Sequence, residues 1–231
     1  MEKNYSGKIG FCIGNDIQRP KDRGIFEKLK VYGTPALSDG LNKFNTMNPE
    51  VKPVVEGIKI AGPAITVRMR PGDNLMLHKA IGLAEPGDII VVDTCGCSNY
   101  SLMGDLMGSA AFKKGIGGIV IDGYIRDIGE LKEKRMPVFA KGATPAVGDK
   151  DGPGEINMPI SCAGVPVIPG DYIVGDDNGV VVIPPYLIDE IVEGTEKKLA
   201  YEKKRAIEIE NGVITKPDID KKLRKLGIIP E

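Results

Sequence analysis

The sequence predicts an α/β protein: parallel βα units first, then a set of antiparallel strands, closed by a long helix. Three observations predict this. Residues 89–94 (IIVVDT) and 117–125 (GGIVIDGYI) are continuous apolar runs, the pattern of strands buried on both faces, and a helical stretch over 104–114 joins them. From about Ala146 to Pro185 the pattern changes to short apolar segments separated by turn residues. Residues 186–211 then read as one charged helix with an apolar stripe of Leu187, Ile188, Ile191, Val192, Thr195 and Leu199.

In chain order, residues 1–23 read as an irregular N-terminal arm. Residues 24–30 and 34–43 read as two short helices around a break at Gly33. Residues 59–69 (KIAGPAITVRM) form a strand in which Pro63 points to an edge or a bulge. Asp73 is placed to cap a helix over 74–84. Pro-Gly-Asp occurs at 71–73, 86–88 and 169–171; Pro then Gly fits the central positions of a type II turn, so all three read as punctuation. Gly115 stops the 104–114 helix. A short helix over 127–135 and a strand over 137–144 follow. In the last third, segments 156–161, 165–168, 171–176 and 179–184 read as strands, and Asp177-Asn178-Gly179 marks a hairpin. A final helix is expected over 218–227. The organisation is an arm (1–23), an α/β core (24–185), and a C-terminal helix and tail (186–231) whose polar length exceeds what one small core needs, pointing to contact with another subunit.

The whole chain limits its functional class. At 231 residues it can build one sizeable core. With 31 Lys+Arg against 32 Asp+Glu, it lacks the basic excess of a general nucleic-acid binder. No apolar run is long enough to span a bilayer, and the N-terminus lacks the apolar centre of a signal peptide. Four cysteines (Cys12, Cys95, Cys97, Cys162) do not make a disulfide framework in a chain this long. The expectation is a reduced, cytoplasmic protein with neither nucleic-acid nor membrane partners.

The chemistry concentrates in residues 105–130. The amides of Asp105, Leu106 and Met107, following Gly104, open a helix and lack acceptors in a preceding turn, so a small carboxylate can dock there, although spacing alone favours Asp105 as a simple cap. Arg126 and Asp127 follow a buried strand, where α/β sheets bind ligands, although an ion pair at a strand end can also be purely structural. Pairing these residues with Asp105, and with Glu130 three residues on, brings acids and a guanidinium to one βα crossover. Hard cations such as Mg2+ need only one or two such carboxylates. Other features read as inert. Cys95-Gly96-Cys97 lacks partners for a thiolate metal site, since His78 is the only histidine. Gly115 to Gly118 precedes a strand, whereas a dinucleotide fingerprint follows one.

Asp105, twenty intervening residues and Arg126-Asp127, flanked by GDIIVVD, GSAAFKKGIGGIVIDGYIRD, PVFAKG and VPVIPGDYIVGDDNGVVVIP, resemble the class II, metal-dependent pyruvate aldolases related to the regulator of ribonuclease activity A. The resemblance spans roughly residues 24–212. It implies a swivelling β/β/α-type sandwich and a homotrimer or dimer of trimers with sites between subunits. The implied substrates are 4-hydroxy-4-methyl-2-oxoglutarate, 4-carboxy-4-hydroxy-2-oxoadipate and oxaloacetate. By position, Asp127 would bind Mg2+ or Mn2+ and Asp105 would hold a water on that metal. The amides after Gly104 would take the pyruvate carboxylate, and Arg126 would contact the keto oxygen. Glu202 would complete the site from a neighbour's terminal helix. Cys95-Gly96-Cys97 departs from the small, Gly-rich text usual there and leaves substrate choice open. The alternative is a non-enzymatic regulator docking on a ribonuclease or another protein. A methyltransferase would need a nucleotide-type Gly-rich turn after the first strand, and none is found.

Overall fold

The structure, a computed structural model, describes residues 8–97 and 99–230, the side chain of Pro217 excepted; residues 1–7 of the expected arm lie outside it. In chain order the first elements are β1 (Phe11–Ile13), α1 (Gly24–Tyr32), α2 (Thr34–Gly40), β2 (Lys52–Pro53), β3 (Ile60–Met69) and α3 (Leu75–Leu83). Then come β4 (Ile89–Asp93), α4 (Asp105–Lys114), β5 (Gly118–Ile121), β6 (Tyr124–Ile125), α5 (Ile128–Glu133), β7 (Val138–Ala140) and β8 (Gly142–Ala143). The rest are β9 (Gly154–Ile156), β10 (Ile160–Cys162), β11 (Val165–Val167), β12 (Tyr172–Asp176), β13 (Gly179–Ile183), α6 (Ile188–Glu210) and α7 (Pro217–Lys225).

The parallel strands β3, β4, β5 and β7 lie side by side in a sheet ordered β1-β9-β3-β4-β5-β7-β2. Every residue of β4 and β5 is buried, as their continuous apolar runs require. Alternation splits their side chains between two cores. Ile90, Val92, Ile119 and Ile121 pack with α3, α4 and α5, while Ile89, Val91 and Val120 pack toward β10–β13. A third cluster joins α1, α2 and α6 to β12 and β13 through Phe26, Leu37, Val181 and Ile191. Antiparallel β12 pairs with both β13 and β3.

Several local expectations are corrected. The arm is not wholly irregular: β1 pairs in parallel with β9, Ile17 is buried, and Arg19 reaches Asp88. Pro63 marks no edge. β3 is a central strand, and Pro63 is tolerated because the β4 ladder begins only at Ala64 and the nearby bond to β12's approach is donated by the Ala64 amide to Asp171 O (2.8 Å). Asp73 is not the N-cap; that is Asn74, and the Asp73 carboxylate accepts from the amides of Leu75 (2.9 Å), Asp151 (2.8 Å) and Gly152 (2.7 Å). The expected strand over 117–125 breaks at Asp122, whose carboxylate accepts from Ala163 N (2.8 Å) and pairs with Lys141 (2.5 Å). The three Pro-Gly-Asp turns form as expected. Gly72, Gly87 and Gly170 have φ of 75°, 85° and 91°, and each Asp amide closes the turn onto Arg70, Glu85 or Ile168.

Candidate active site

The break at Asp122 re-aims the chain. Leu102 N donates to Tyr124 O (2.9 Å) and Arg126 N to Met103 O (2.9 Å), so the segment entering α4 is laced to the one leaving β5. This brings Gly104, Asp105, Arg126 and Asp127 together at the carboxyl edge of the parallel sheet, as the spacing predicts. The approach demands glycine: a Cβ on Gly104 would stand 2.3 Å from Asp127 Oδ2 and 3.1 Å from Arg126 Cγ. Asp127 adopts φ 57°, ψ 41°, a left-handed conformation that costs most residues energy and that Asp and Asn tolerate best.

The Asp105 amide donates to Asp127 Oδ2 (3.0 Å), and Arg126 Nε lies 3.5 Å from the same oxygen. Helical geometry leaves the Leu106 and Met107 amides facing outward at the positive end of α4. Leu106 is largely exposed and Met107 buried. Beside this junction, Arg126, Asp127, Ile128, Ala143, Thr144 and Pro145 line an open pocket of about 390 Å³, within the range of small-molecule sites. Tyr124 is not part of that lining; its ring packs against Gly142, where an added Cβ would stand 3.1 Å away.

Asp105 is not a helix cap. Gly104 holds that position, and the Asp105 carboxylate turns to Lys134 of the α5 terminus and to Ser109 Oγ (3.3 Å). The hydrogen bond from Lys134 holds its carboxyl below the ordinary aspartate range, against the opposing effect of desolvation, and Ser109 adds to the lowering. Neither Lys134 nor the Ala143–Pro145 wall was singled out from sequence. Nothing in their spacing marks them, because both depend on how α5 and β8 return to the edge.

Two acids stand apart. Glu130 is exposed on α5. Glu202 lies on α6, paired with Lys198 (3.3 Å), which also binds Asp39 (2.7 Å) on α2. The packing of α6 on α2 and the preceding turn does not bring Glu202 to the cluster within one chain. Cys95 is exposed in a turn at φ 52° and Cys97 is buried; both are free thiols. Among the described residues no group of three or more His, Cys, Asp or Glu is arranged to hold a metal ion. A closed, all-protein metal site is therefore not offered. The oxygen donor of Asp127 beside an open pocket does fit a hard cation that keeps water and takes its remaining oxygens from substrate.

The carboxyl edge of the α/β sheet thus carries a helix start, a guanidinium and a carboxylate side by side. The chain belongs to the RraA-like family, whose model, described as "Aldolase/RraA", matches residues 34–182. A protein of Halalkalibacterium halodurans named "Putative 4-hydroxy-4-methyl-2-oxoglutarate aldolase" is 41% identical over 187 residues, 81% of this chain and 89% of the relative. Among solved structures, an uncharacterized protein from Pseudomonas syringae pv. tomato superposes with a TM-score of 0.74 at 27% identity, over 84% of this chain and 96% of that one. Streptomyces coelicolor RraAS2, described as an unusual member of the RNase ES inhibitor RraA protein family, gives a TM-score of 0.74 at 28% identity, over 82% of this chain and 98% of its own. The chain has the expected α/β fold with a long C-terminal helix, and its fold is that of these solved RraA-like structures. Among the described residues no helix is long and apolar enough to cross a membrane.

Proposed function

We propose that the chain is a divalent-metal-dependent carbon–carbon lyase that releases pyruvate from a 4-hydroxy-2-keto diacid and also decarboxylates oxaloacetate. The observation that carries this reading is that Arg126 and Asp127 line a pocket of about 390 Å³ while Asp127 accepts the Asp105 amide at the start of α4. The aldolase names of the sequence relatives support it.

In this reading the outward amides of Leu106 and Met107 receive the substrate's 1-carboxylate, and Asp127 holds Mg2+ or Mn2+. A bound divalent cation supplies Lewis-acid stabilisation of charge on the 2-keto oxygen. The remaining chemistry falls to the chain. Asp105 accepts, through a water, the proton of the 4-hydroxyl. The C3–C4 bond breaks, a carbonyl forms at C4, and its electron pair enters the enolate between C2 and C3. Arg126 meets the negative charge developing on the keto oxygen, where a preorganised donor contributes most. Protonation at C3 gives pyruvate. Loss of CO2 from oxaloacetate leaves the same enolate, so one set of residues serves both reactions. The test is release of pyruvate from a panel of 4-hydroxy-2-keto diacids with Mg2+ or Mn2+. Full activity in excess chelator removes the metal from the reading, whereas no release from any of them sinks the lyase reading and leaves a regulator of the kind described for RraAS2.

The same reading makes the chain a homotrimer or dimer of trimers with shared sites. Beyond Leu199, α6 projects with Tyr201, Ile207 and Ile209 exposed, a surface expected to be covered by a neighbour. That neighbour's cluster is where Glu202 would act. Mixing inactive Arg126→Ala and Glu202→Ala subunits should restore part of the activity after exchange. Proven exchange without recovery removes Glu202 from an intersubunit role.

A further inference from the structure

We propose that Lys134 is a positioning residue for the candidate site: it fixes one oxygen of the Asp105 carboxylate and leaves the other as the free acceptor. The inference rests on the lyase reading, and it adds a residue that neither the motif nor the spacing includes.

The placement begins with Gly108. A Cβ there would stand 2.6 Å from Met136 Sδ and 2.8 Å from Leu131 Cδ2, so glycine lets α4 and α5 pack at short range. Leu131 and Met136 are buried and hold the end of α5 against this face. Met136 N closes onto Leu131 O (3.0 Å) across Arg135, which takes φ 49°, so the chain reverses directly after Lys134. Lys134 thus springs from a rigid corner toward the first turn of α4. Its Nζ donates to Asp105 Oδ1 and to Ser109 Oγ (2.9 Å), and Ser109 Oγ also donates to Asp105 Oδ1 (3.3 Å). Three groups from two helices close one ring on Oδ1. Among the described residues no donor is placed on Asp105 Oδ2. A carboxylate one residue from the Gly104 approach would otherwise swing freely about its χ angles. Held by Oδ1, it presents a single oxygen to a proton acceptor's task, and geometry of this kind is worth a large factor in rate: a misplacement of ~1 Å costs on the order of 10²-fold.

The experiment compares Lys134→Met, Lys134→Arg, Asp105→Asn and the Asp105→Asn/Lys134→Met double variant in the full chain, by pyruvate release and by thermal unfolding. Lys134 is half-exposed, so its variants are expected to fold. Lys134→Met should lower kcat by on the order of tenfold to a hundredfold with KM little changed, and Lys134→Arg should recover most of that loss. The double variant should be no slower than Asp105→Asn alone, and its shift in Tm should differ from the sum of the single shifts. In an active enzyme, a double variant slower by the product of the single losses, or strictly additive Tm shifts, would overturn the role of Lys134 and leave the lyase reading intact. Absence of pyruvate release by the wild-type protein would overturn both.

Discussion

Two Arg–Asp pairs stand at opposite ends of the same parallel sheet, and they are built differently. At the amino end of β4, Asp88 is fully buried. It accepts from Arg19 Nε (3.0 Å) and Nη2 (2.8 Å), one to each oxygen, and from the Glu85 amide (2.8 Å). Beyond the carboxyl end of β5, Arg126 and Asp127 are more than a third exposed, 3.5 Å apart through one nitrogen, on a residue with left-handed backbone. The first pair has both carboxylate oxygens satisfied. The second is loosely joined, strained and open to a pocket. The first pair closes on itself, whereas the second keeps hydrogen-bonding capacity in reserve.

The largest effect on stability is expected at the closed end. Asp88→Ala removes the buried carboxylate that holds Arg19 and the Glu85 amide, while Arg19 keeps Asp16 and Glu85 as partners; losing such charged hydrogen bonds costs about 1.5–3 kcal/mol. Asp127→Asn should change stability by less than about 1 kcal/mol, the scale of exposed pairs. Asn also tolerates the left-handed conformation that Asp127 holds. Urea unfolding of both variants measures the contrast, and equal losses would erase it.

The open end should show its effect in ligand binding. Asp127→Asn should weaken Mg2+ or Mn2+ binding by more than the ~10–100-fold typical of losing a residue that merely supports a ligand. Isothermal titration of the folded variant reads this directly, and unchanged affinity would remove Asp127 as the metal's holder.

The contrast also explains what was legible in the sequence. Arg126 and Asp127 are adjacent, and Asp105 is tied to them by one helix and one strand, so periodicity and spacing were enough to bring them together. Arg19 and Asp88 lie sixty-nine residues apart, and no local pattern joins them. The arm looked irregular because its order comes from β9 and from Asp88, both distant in sequence. Lys134 was missed for the same reason: its reach to Asp105 depends on the Gly108 contact between two helices. The break at Asp122 was hidden inside an apolar run because the partners of its carboxylate, Lys141 and the Ala163 amide, are distant in sequence. Buried strands, turns and the terminal helix carry local signals, and contacts that close across the fold do not.

A smaller effect is expected for Arg126→Lys. Lysine keeps the positive charge and loses the planar fork, so a residue that meets charge forming in the transition state should not be replaceable. Turnover should fall by about 10²-fold, the scale of losing one oxyanion donor, with little change in KM. Turnover within a few-fold of wild type would make Arg126 a generic cation, no more specialised than a lysine.

Asp176 tests whether closure, rather than an arginine partner, marks a structural carboxylate. Asp176 is buried, and among the described residues no cation pairs with it. It accepts from Thr34 Oγ1 (2.7 Å) and Asn178 N (2.8 Å) on one oxygen and from Thr34 N (2.8 Å) on the other, fixing the start of α2 and the β12–β13 hairpin. Burial pushes its carboxyl up, but the hydrogen bonds from Thr34 and Asn178 outweigh it, and the net position is below the ordinary aspartate range. A carboxylate lowered on folding contributes stability that is fully present above its unfolded pKa of about 3.9 and is lost as pH falls through the folded value. Asp176→Asn removes the charge from those hydrogen bonds, so it should cost about 2 kcal/mol at pH 7. The gap between variant and wild type should narrow as pH drops below 4. Denaturant midpoints from pH 7 to 3 decide the matter: a constant or widening gap for Asp176→Asn would mean that its ionised form is not what the fold holds.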